Sequence, residues 1–301
     1  MTAAEWGLLL LCCDLGRNGP PPLTEPQFRA LARRVRGGGP LEDANWDCEI
    51  NAGHLVRLGC SDGEARRILA LLNRGEPLRR YLEAGRLDGI FPITLRSVDY
   101  PAPLLQKPGG GAPPVFFCAG NLALLRGPFV GLAGSRRLGP DGAAFAERAG
   151  EIAAKEGFVL VTGGAWGADW VAARACLKFG GRTIMFIPDS LRRRAADAGP
   201  DCLILSACGY DLPFSAARAL SRNAWVHMMG NSTLIAQTGN GKGGTWRGGV
   251  ENLRMGWSDL YVNDDGSPGA LALVEMGAVP LRRLDSIAGL VPRQQTLFQA
   301  F

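Results

Sequence analysis

The sequence has few of the residues on which most catalytic and metal sites depend. Histidine occurs only twice among 301 residues, and none of the eight cysteines stand in a C-x-x-C pair. Zinc-type ligand spacing is therefore absent, and we expect neither a metal nor a cofactor. No Ser-His-Asp set or Walker-type lysine turn is evident, which disfavours serine hydrolases and P-loop NTPases.

Long apolar runs are missing as well. Leu8–Cys13 is the longest early run; it is too short to span a bilayer, and no basic segment precedes it as in a signal peptide. We therefore expect a cytoplasmic protein with no membrane contact. Most cysteines stand in apolar runs, which indicates buried and reduced side chains.

Lysine is also scarce, because only four of the 33 basic residues are lysines. The net charge of +5 is mildly basic and is compatible with a polyanionic partner. Arginine suits bidentate phosphate contact and base stacking. A codon bias in the source genome would give the same composition, so both interpretations stay open.

Two short apolar runs, Phe129–Ala133 and Phe158–Val161, each end in a glycine-rich turn. The turns are Gly134–Arg137 and Thr162–Asp169, and each leads into a helical pattern. In a parallel sheet both turns lie outside the carboxyl ends of the strands, where α/β folds bind ligands. Their backbone N–H groups suit phosphate, so we predict that this edge binds a nucleic acid or nucleotide.

Strand and helix patterns continue to alternate beyond this unit and predict a doubly wound α/β sheet. Among the later elements we predict a strand at Ser232–Gln237, a glycine-rich loop at Gly239–Gly249, a helix at Val250–Met255 and a last strand at Leu260–Val262. We place a helical domain at 1–88, the α/β domain at 89–285 and a C-terminal tail at 286–301. The helical domain is similar to SAM or helix-hairpin-helix modules, which contact DNA or serve packing.

Six short motifs follow one another within 90–282: Asp99-Tyr100-Pro101 with Leu104, Gly134-Ser135-Arg136, Thr162–Asp169, Arg222-Asn223, Gly243-Gly244-Thr245 and Gly277-Ala278. In this order they resemble the motifs of the DprA/Smf family of DNA-processing proteins. The resemblance implies a Rossmann-like, mostly parallel sheet whose basic pocket binds single-stranded DNA. It also implies a homodimer that loads a RecA-type recombinase during recombination and natural transformation, without established catalytic activity.

The resemblance implies that six residues bind DNA, namely Ser135, Arg136, Arg222, Asn223, Lys242 and Thr245. The glycine turns and their basic neighbours add six candidates: Gly134, Arg137, Gly163, Gly164, Gly244 and Arg247. One departure concerns the second arginine of the family's R-N-R segment, which is Ala224 here. Trp225 follows it and is either a base-stacking ring or a core residue.

Two further features have two interpretations each, and a third has one. Asp169 either caps the following helix, which we favour, or bonds a ligand hydroxyl. The run Arg192–Arg194 is either a phosphate-contacting loop or a solvated surface. His227 stands among apolar residues, and we interpret it as a core histidine with satisfied hydrogen bonds.

Two other functions are compatible with the same fold. Nucleotide hydrolases of the lysine-decarboxylase-like type need a glutamate close to their P-G-G-x-G-T turn. Here the nearest carboxylate, Glu251, lies one helical turn too far along, about 5 Å, to act as a positioned base. The other alternative is a nucleotide sensor.

The C-terminal tail contains a separate motif. Gln294–Phe298 resembles a peptide that docks on the bacterial sliding clamp, although it would equally serve as a packing segment.

Overall fold

The computed structural model describes residues 1–16, 19–36, 50–107, 109 and 111–290. The predicted clamp peptide at Gln294–Phe298 lies outside these residues. Within them, nine strands form one sheet: β1 (Ile90–Thr94), β2 (Val115–Gly120), β3 (Phe129–Ala133), β4 (Val159–Thr162), β5 (Arg182–Ile187), β6 (Cys202–Ala207), β7 (Ser232–Ile235), β8 (Asp259–Asn263) and β9 (Val279–Leu281).

The strand order across the sheet is β1-β2-β6-β5-β4-β3-β7-β8-β9. Only the β1–β2 and β2–β6 pairs are antiparallel, and the remaining neighbours run parallel. From β3 the chain winds outward through β4 and β5 to β6, then crosses back and winds the other way from β7 to β9. The predicted doubly wound, Rossmann-like sheet is therefore confirmed, and its switch point lies between β3 and β7.

Eleven helices accompany the described strands: α1 (Ala3–Cys12), α2 (Glu25–Arg36), α3 (Ala52–Arg57), α4 (Asp62–Leu72), α5 (Gly75–Leu87), α6 (Ala102–Gln106), α7 (Pro140–Lys155), α8 (Ala168–Lys178), α9 (Ala216–Met229), α10 (Gly244–Met255) and α11 (Pro268–Glu275).

Each face of the sheet is covered by helices because the parallel strands are apolar on both sides. On one face α7 and α8 pack against the sheet, with buried alanines where the two helices meet. On the other face α9 covers the sheet, and Trp225 packs against the rings of Phe116 and Phe186. Trp225 donates its indole N–H to the carbonyl of Gly111. Of its two interpretations, the structure supports the core residue.

Of the five helices described within residues 1–88, α1 packs against β1 and β2, and α5 packs against β1. Capping boxes begin α1 and α4, at Thr2 and Ser61. Leu9 and Leu78 belong to the same buried cluster as Phe117 and Tyr210 of the α/β part. The helical segment is confirmed, and the domain boundary at residue 88 stays a prediction.

Two predictions about the strands are wrong, one about where a strand ends and one about which strand is the last. The strand predicted to reach Gln237 ends at Ile235, because the carbonyl of Gln237 instead accepts the N–H of Ser135 in the turn after β3. The strand β9 follows Leu260–Val262, which we had predicted as the last strand; Pro280 in β9 is tolerated because β9 is an edge strand.

The predicted loop at Gly239–Gly249 is also wrong in part, since α10 begins at Gly244. Gly248 and Gly249 are buried inside this helix. A Cβ on Gly248 would lie 3.0 Å from His227 Nε2, so the missing side chain lets α10 approach α9 closely. Tertiary packing thus overrides the low helix propensity of glycine.

Candidate nucleic-acid interface

A cavity of about 510 Å³ lies at the carboxyl ends of β3 and β7. These strands flank the switch point, which is where open α/β sheets bind ligands. The cavity is lined by the turn after β3, by α9 and by the segment 239–247 that joins β7 to α10. Its volume is in the range of sites that hold a small molecule or one unit of a polymer.

Nine of the twelve predicted site residues line this cavity: Gly134, Ser135, Arg136, Arg222, Asn223, Lys242, Gly244, Thr245 and Arg247. Arg137 is exposed beside it but is not part of the lining. Gly163 and Gly164 are not part of the lining either. Phe214 and His227 line the cavity although the sequence analysis had not included them.

The turn after β3 is held by backbone contacts on two sides. The N–H of Ser135 donates to Gln237 at 2.9 Å, and its carbonyl accepts the N–H of Ala168 at 3.2 Å. Gly134 permits this close approach, because a Cβ there would lie 2.4 Å from the Ala168 Cβ. The exposed guanidinium of Arg136 lies over the Phe214 ring, 6.0 Å from its centroid. The fixed turn therefore presents a cation at the cavity mouth.

Beneath the cavity, Asp169 and Arg222 form a buried ion pair. Only 4% of Asp169 and 6% of Arg222 is exposed, and Asp169 Oδ2 lies 3.4 Å from Arg222 Nη1. Burial raises the pKa of the Asp169 carboxyl, and Arg222 and two backbone N–H groups oppose that rise. Because an arginine does not lose its proton in proteins, we assign the two groups as charged partners.

The favoured interpretation of Asp169 as the cap of α8 is wrong, since that helix has no side-chain cap, and the alternative that it bonds a ligand hydroxyl stays a prediction. Its Oδ2 accepts the N–H groups of Gly163 at 3.1 Å and of Ala165 at 3.3 Å, which precede α8. The carboxylate thus holds the glycine turn after β4 rather than capping the helix. Gly163 lies against Arg222, because a Cβ there would be 1.0 Å from Nη1. Gly163 therefore packs against the ion pair, and the phosphate contact predicted for Gly163 and Gly164 stays a prediction.

The rim opposite Arg136 is formed by the start of α10. Gly243 takes a φ of 93°, which a residue with a side chain rarely adopts, and α10 begins at the next residue. Asn223 Nδ2 donates to the Gly244 carbonyl at 3.1 Å and joins α9 to this start. Lys242 and Arg247 are exposed on the rim. The N-terminus of α10 adds the positive end of a helix dipole.

His227 lies on the inner wall of the cavity. It is 1% exposed, and among the described residues neither ring nitrogen has a hydrogen-bond partner. Burial, with a smaller contribution from Lys107, lowers the pKa of His227 to about 3, so the ring is neutral at physiological pH. The prediction of a core histidine is right about burial and wrong about hydrogen-bond satisfaction. His227 stands four residues after Asn223 on α9, and this spacing places both side chains on one face of the helix. The sequence could therefore have indicated that His227 faces the same cavity as Asn223.

Positive charge is therefore distributed unevenly over the site. Arg136, Lys242 and Arg247 lie at the exposed rim. In the interior, Arg222 is neutralised by Asp169 and His227 is uncharged. Arg222 Nε and both His227 nitrogens are buried without partners among the described residues. The rim suits an anion, and the interior suits an uncharged polar group that hydrogen bonds with these atoms.

Several other candidates lie away from this cavity. Glu251 does not line it; it is six residues beyond Thr245 on α10, about 9 Å along the axis. In the run Arg192–Arg194, Arg192 pairs with Asp88 at 2.7 Å and Arg194 with Asp197 at 2.6 Å. These arginines therefore make contacts within the chain.

The described residues contain no group of three histidine, cysteine, aspartate or glutamate side chains placed to hold a metal ion. Within the same ranges, no helix has both the length and the apolar character that a membrane crossing requires.

The family described as DNA recombination-mediator protein A has a sequence profile that matches residues 92–291. This match covers more than half of the chain. The chain belongs to this family. The resemblance predicted from six short motifs is thereby confirmed.

Individual relatives agree with membership of the DNA recombination-mediator protein A family. DNA processing protein DprA of Streptococcus pneumoniae (strain ATCC BAA-255 / R6) is 37% identical over 131 residues, which is 41% of this chain and 42% of that protein. The matched segment thus spans less than half of the relative.

Two solved structures share the fold. The X-ray structure of DNA processing protein A from Streptococcus pneumoniae has a TM-score of 0.66 and 23% identity, covering 86% of this chain and 95% of that chain. A structure of the Helicobacter pylori protein has a TM-score of 0.53 and 23% identity, covering 70% of this chain and 97% of that chain. At these identities the likeness establishes the fold alone.

Proposed function

We propose that the chain binds single-stranded DNA as a recombination mediator and holds the strand's phosphates at the cavity rim. The observation that carries this proposal is the separation of charge, with Arg136, Lys242 and Arg247 outside and a neutralised interior. A nucleotide strand has the same division, because its phosphates are anionic and its bases are not. The Helicobacter pylori relative is described by its single-stranded DNA binding mode, which supports the choice of ligand.

The rim contacts a phosphate in two ways. Arg136 offers a guanidinium fork on a fixed turn. The N-terminus of α10 offers backbone N–H groups that have no acceptor within the helix, next to Thr245, whose hydroxyl is an additional donor. Because such contacts read no base edge, the affinity should be tolerant of sequence.

The test compares fluorescent oligonucleotides with mononucleotides over a salt series. Three phosphate contacts predict a slope of about −2 for the logarithm of the binding constant against that of the salt concentration. The variant Arg136→Ala/Lys242→Ala should flatten the slope to about −0.7. Arg80→Ala/Arg86→Ala is the matched control, because it also removes two positive charges, both from exposed residues of α5.

Two outcomes would contradict the proposal. Tight binding of a mononucleotide, or release of a free base from one, would indicate a sensor or a nucleotide hydrolase instead. An unchanged slope in the double variant would show that the phosphate contacts lie elsewhere.

The resemblance also motivates the remaining assignments, which we propose together with the binding role. The chain acts without intrinsic catalysis, as a cytoplasmic homodimer that passes the strand to a RecA-type recombinase. Light scattering tests the dimer, and recombinase filament assembly on a pre-coated strand tests the transfer. A labelled peptide of Gln294–Phe298 that shows no binding to the sliding clamp at high micromolar concentration would exclude the clamp as a partner.

A further inference from the structure

Trp166 and Trp170 form an exposed aromatic pair at the beginning of α8. Trp166 is 73% exposed and Trp170 is 40% exposed. Their ring centroids are 5.5 Å apart, with an angle of 36° between the ring planes. Tryptophan is usually well buried, so two exposed rings in contact are unusual for a surface that only faces water.

The pair lies beside the cavity. Trp166 directly follows Ala165, and Ala165 lines the cavity wall. The next residue, Gly167, takes a φ of 92°, and a Cβ there would lie 2.3 Å from the Ser135 carbonyl oxygen. The turn that carries Trp166 therefore touches the turn that carries Arg136. The pair is therefore carried by a turn that adjoins the cavity mouth.

A cation lies against one of the two rings. The Arg174 guanidinium lies over the Trp170 ring, 5.1 Å from its centroid, and is itself exposed. Asp169 stands between the two tryptophans in sequence, but its side chain is buried and paired with Arg222. Flat aromatic faces flanked by cations are the composition of surfaces that stack bases and attract the connecting phosphates.

We propose that Trp166 and Trp170 form a stacking platform for about two bases of a single strand, which continues from the cavity along α8. This proposal depends on the strand-binding function proposed above and adds a second contact region to it. Base stacking is independent of base identity, so the platform lengthens the bound segment without adding sequence preference.

The experiment measures oligonucleotide binding to the full chain and to Trp166→Ala/Trp170→Ala. We expect the double variant to lose about tenfold or more in affinity for a long oligonucleotide. It should lose little for an oligonucleotide too short to reach past the cavity. Trp166→Phe should retain most of the affinity because phenylalanine also stacks.

Phe179→Ala is the matched control, since Phe179 is an exposed aromatic residue at the other end of the same helix. It should bind every oligonucleotide as the unchanged chain does. In a second arm, abasic sites are introduced one at a time. Abasic sites over the platform should weaken binding to the unchanged chain but have no further effect on the double variant.

The possible failures are distinguishable. If the unchanged chain binds no oligonucleotide, the proposed function fails. If it binds normally and Trp166→Ala/Trp170→Ala binds equally well at every length, the platform is refuted and the function stands. If strand binding is unchanged but light scattering shows that the double variant has lost an oligomer, the rings cover a second copy of the chain, which also overturns the platform.

Discussion

Replacing Asp169 by alanine removes the carboxylate that holds both Arg222 and the turn after β4. The arginine would then be buried without a partner, and stranding one member of a buried ion pair costs about 3–5 kcal/mol. The N–H groups of Gly163 and Ala165 lose their acceptor as well. Some water will reach the vacated space, so we expect the free energy of unfolding to fall by about 4 kcal/mol.

Urea unfolding followed by tryptophan fluorescence measures this loss. With a slope near 3 kcal/mol per molar urea, the midpoint should fall by about 1 M. Asp62→Ala is the control, because Asp62 also stands in the first turn of a helix but is exposed. It should cost only about 0.5 kcal/mol, from the helix dipole.

A double-mutant cycle separates the ion pair from other effects. Asp169→Ala combined with Arg222→Met leaves no unpaired charge, so it should be more stable than Asp169→Ala alone. A loss of less than about 1 kcal/mol in Asp169→Ala, or no gain of stability on adding Arg222→Met, would contradict this assignment. In either case the pair would not be what organises the turn.

Two further perturbations follow from the same structure. Gly163→Ala places a Cβ 1.0 Å from Arg222 Nη1, so it should lower the urea midpoint nearly as much as Asp169→Ala, whereas Gly63→Ala, which has open space, should change it little. Burial lowers the pKa of Lys107 from 10.5 to about 8, with Asp259 opposing the shift. Because the unfolded chain then holds that proton more firmly, stability should rise between pH 8 and 10.5, by up to about 3 kcal/mol. Thermal unfolding of Lys107→Met should lack this rise, and parallel pH curves for the two proteins would contradict the assignment.

Local patterns were sufficient to predict the doubly wound sheet and the edge at which the cavity lies. The apolar runs at Phe129–Ala133 and Phe158–Val161, each ending in glycine, place two turns at one sheet edge whatever the rest of the chain does. The cavity lies at that edge because parallel strands share the direction of their carboxyl ends. The neighbouring positions of Arg222 and Asn223 similarly indicated that α9 contributes to the site.

Contacts between distant segments could not be predicted in this way. The partner of Asp169 lies 53 residues further along the chain, and no periodicity connects the two. The glycines of α10 were interpreted as a loop because their propensity is low, and only the proximity of α9 explains why they are helical. His227 resembles a core residue in sequence, since its unpartnered nitrogens become visible only when its neighbours are placed.

The rim of the cavity is assembled from segments that belong to opposite halves of the sheet. The turn after β3 belongs to the half that winds toward β6, and the segment 239–247 belongs to the half that winds toward β9. A single-stranded DNA that contacts both segments would connect the two halves of the sheet. Its binding free energy would then add to the stability of the whole fold. Conversely, a mutation far from the cavity that loosens either half will weaken binding without touching a single contact residue.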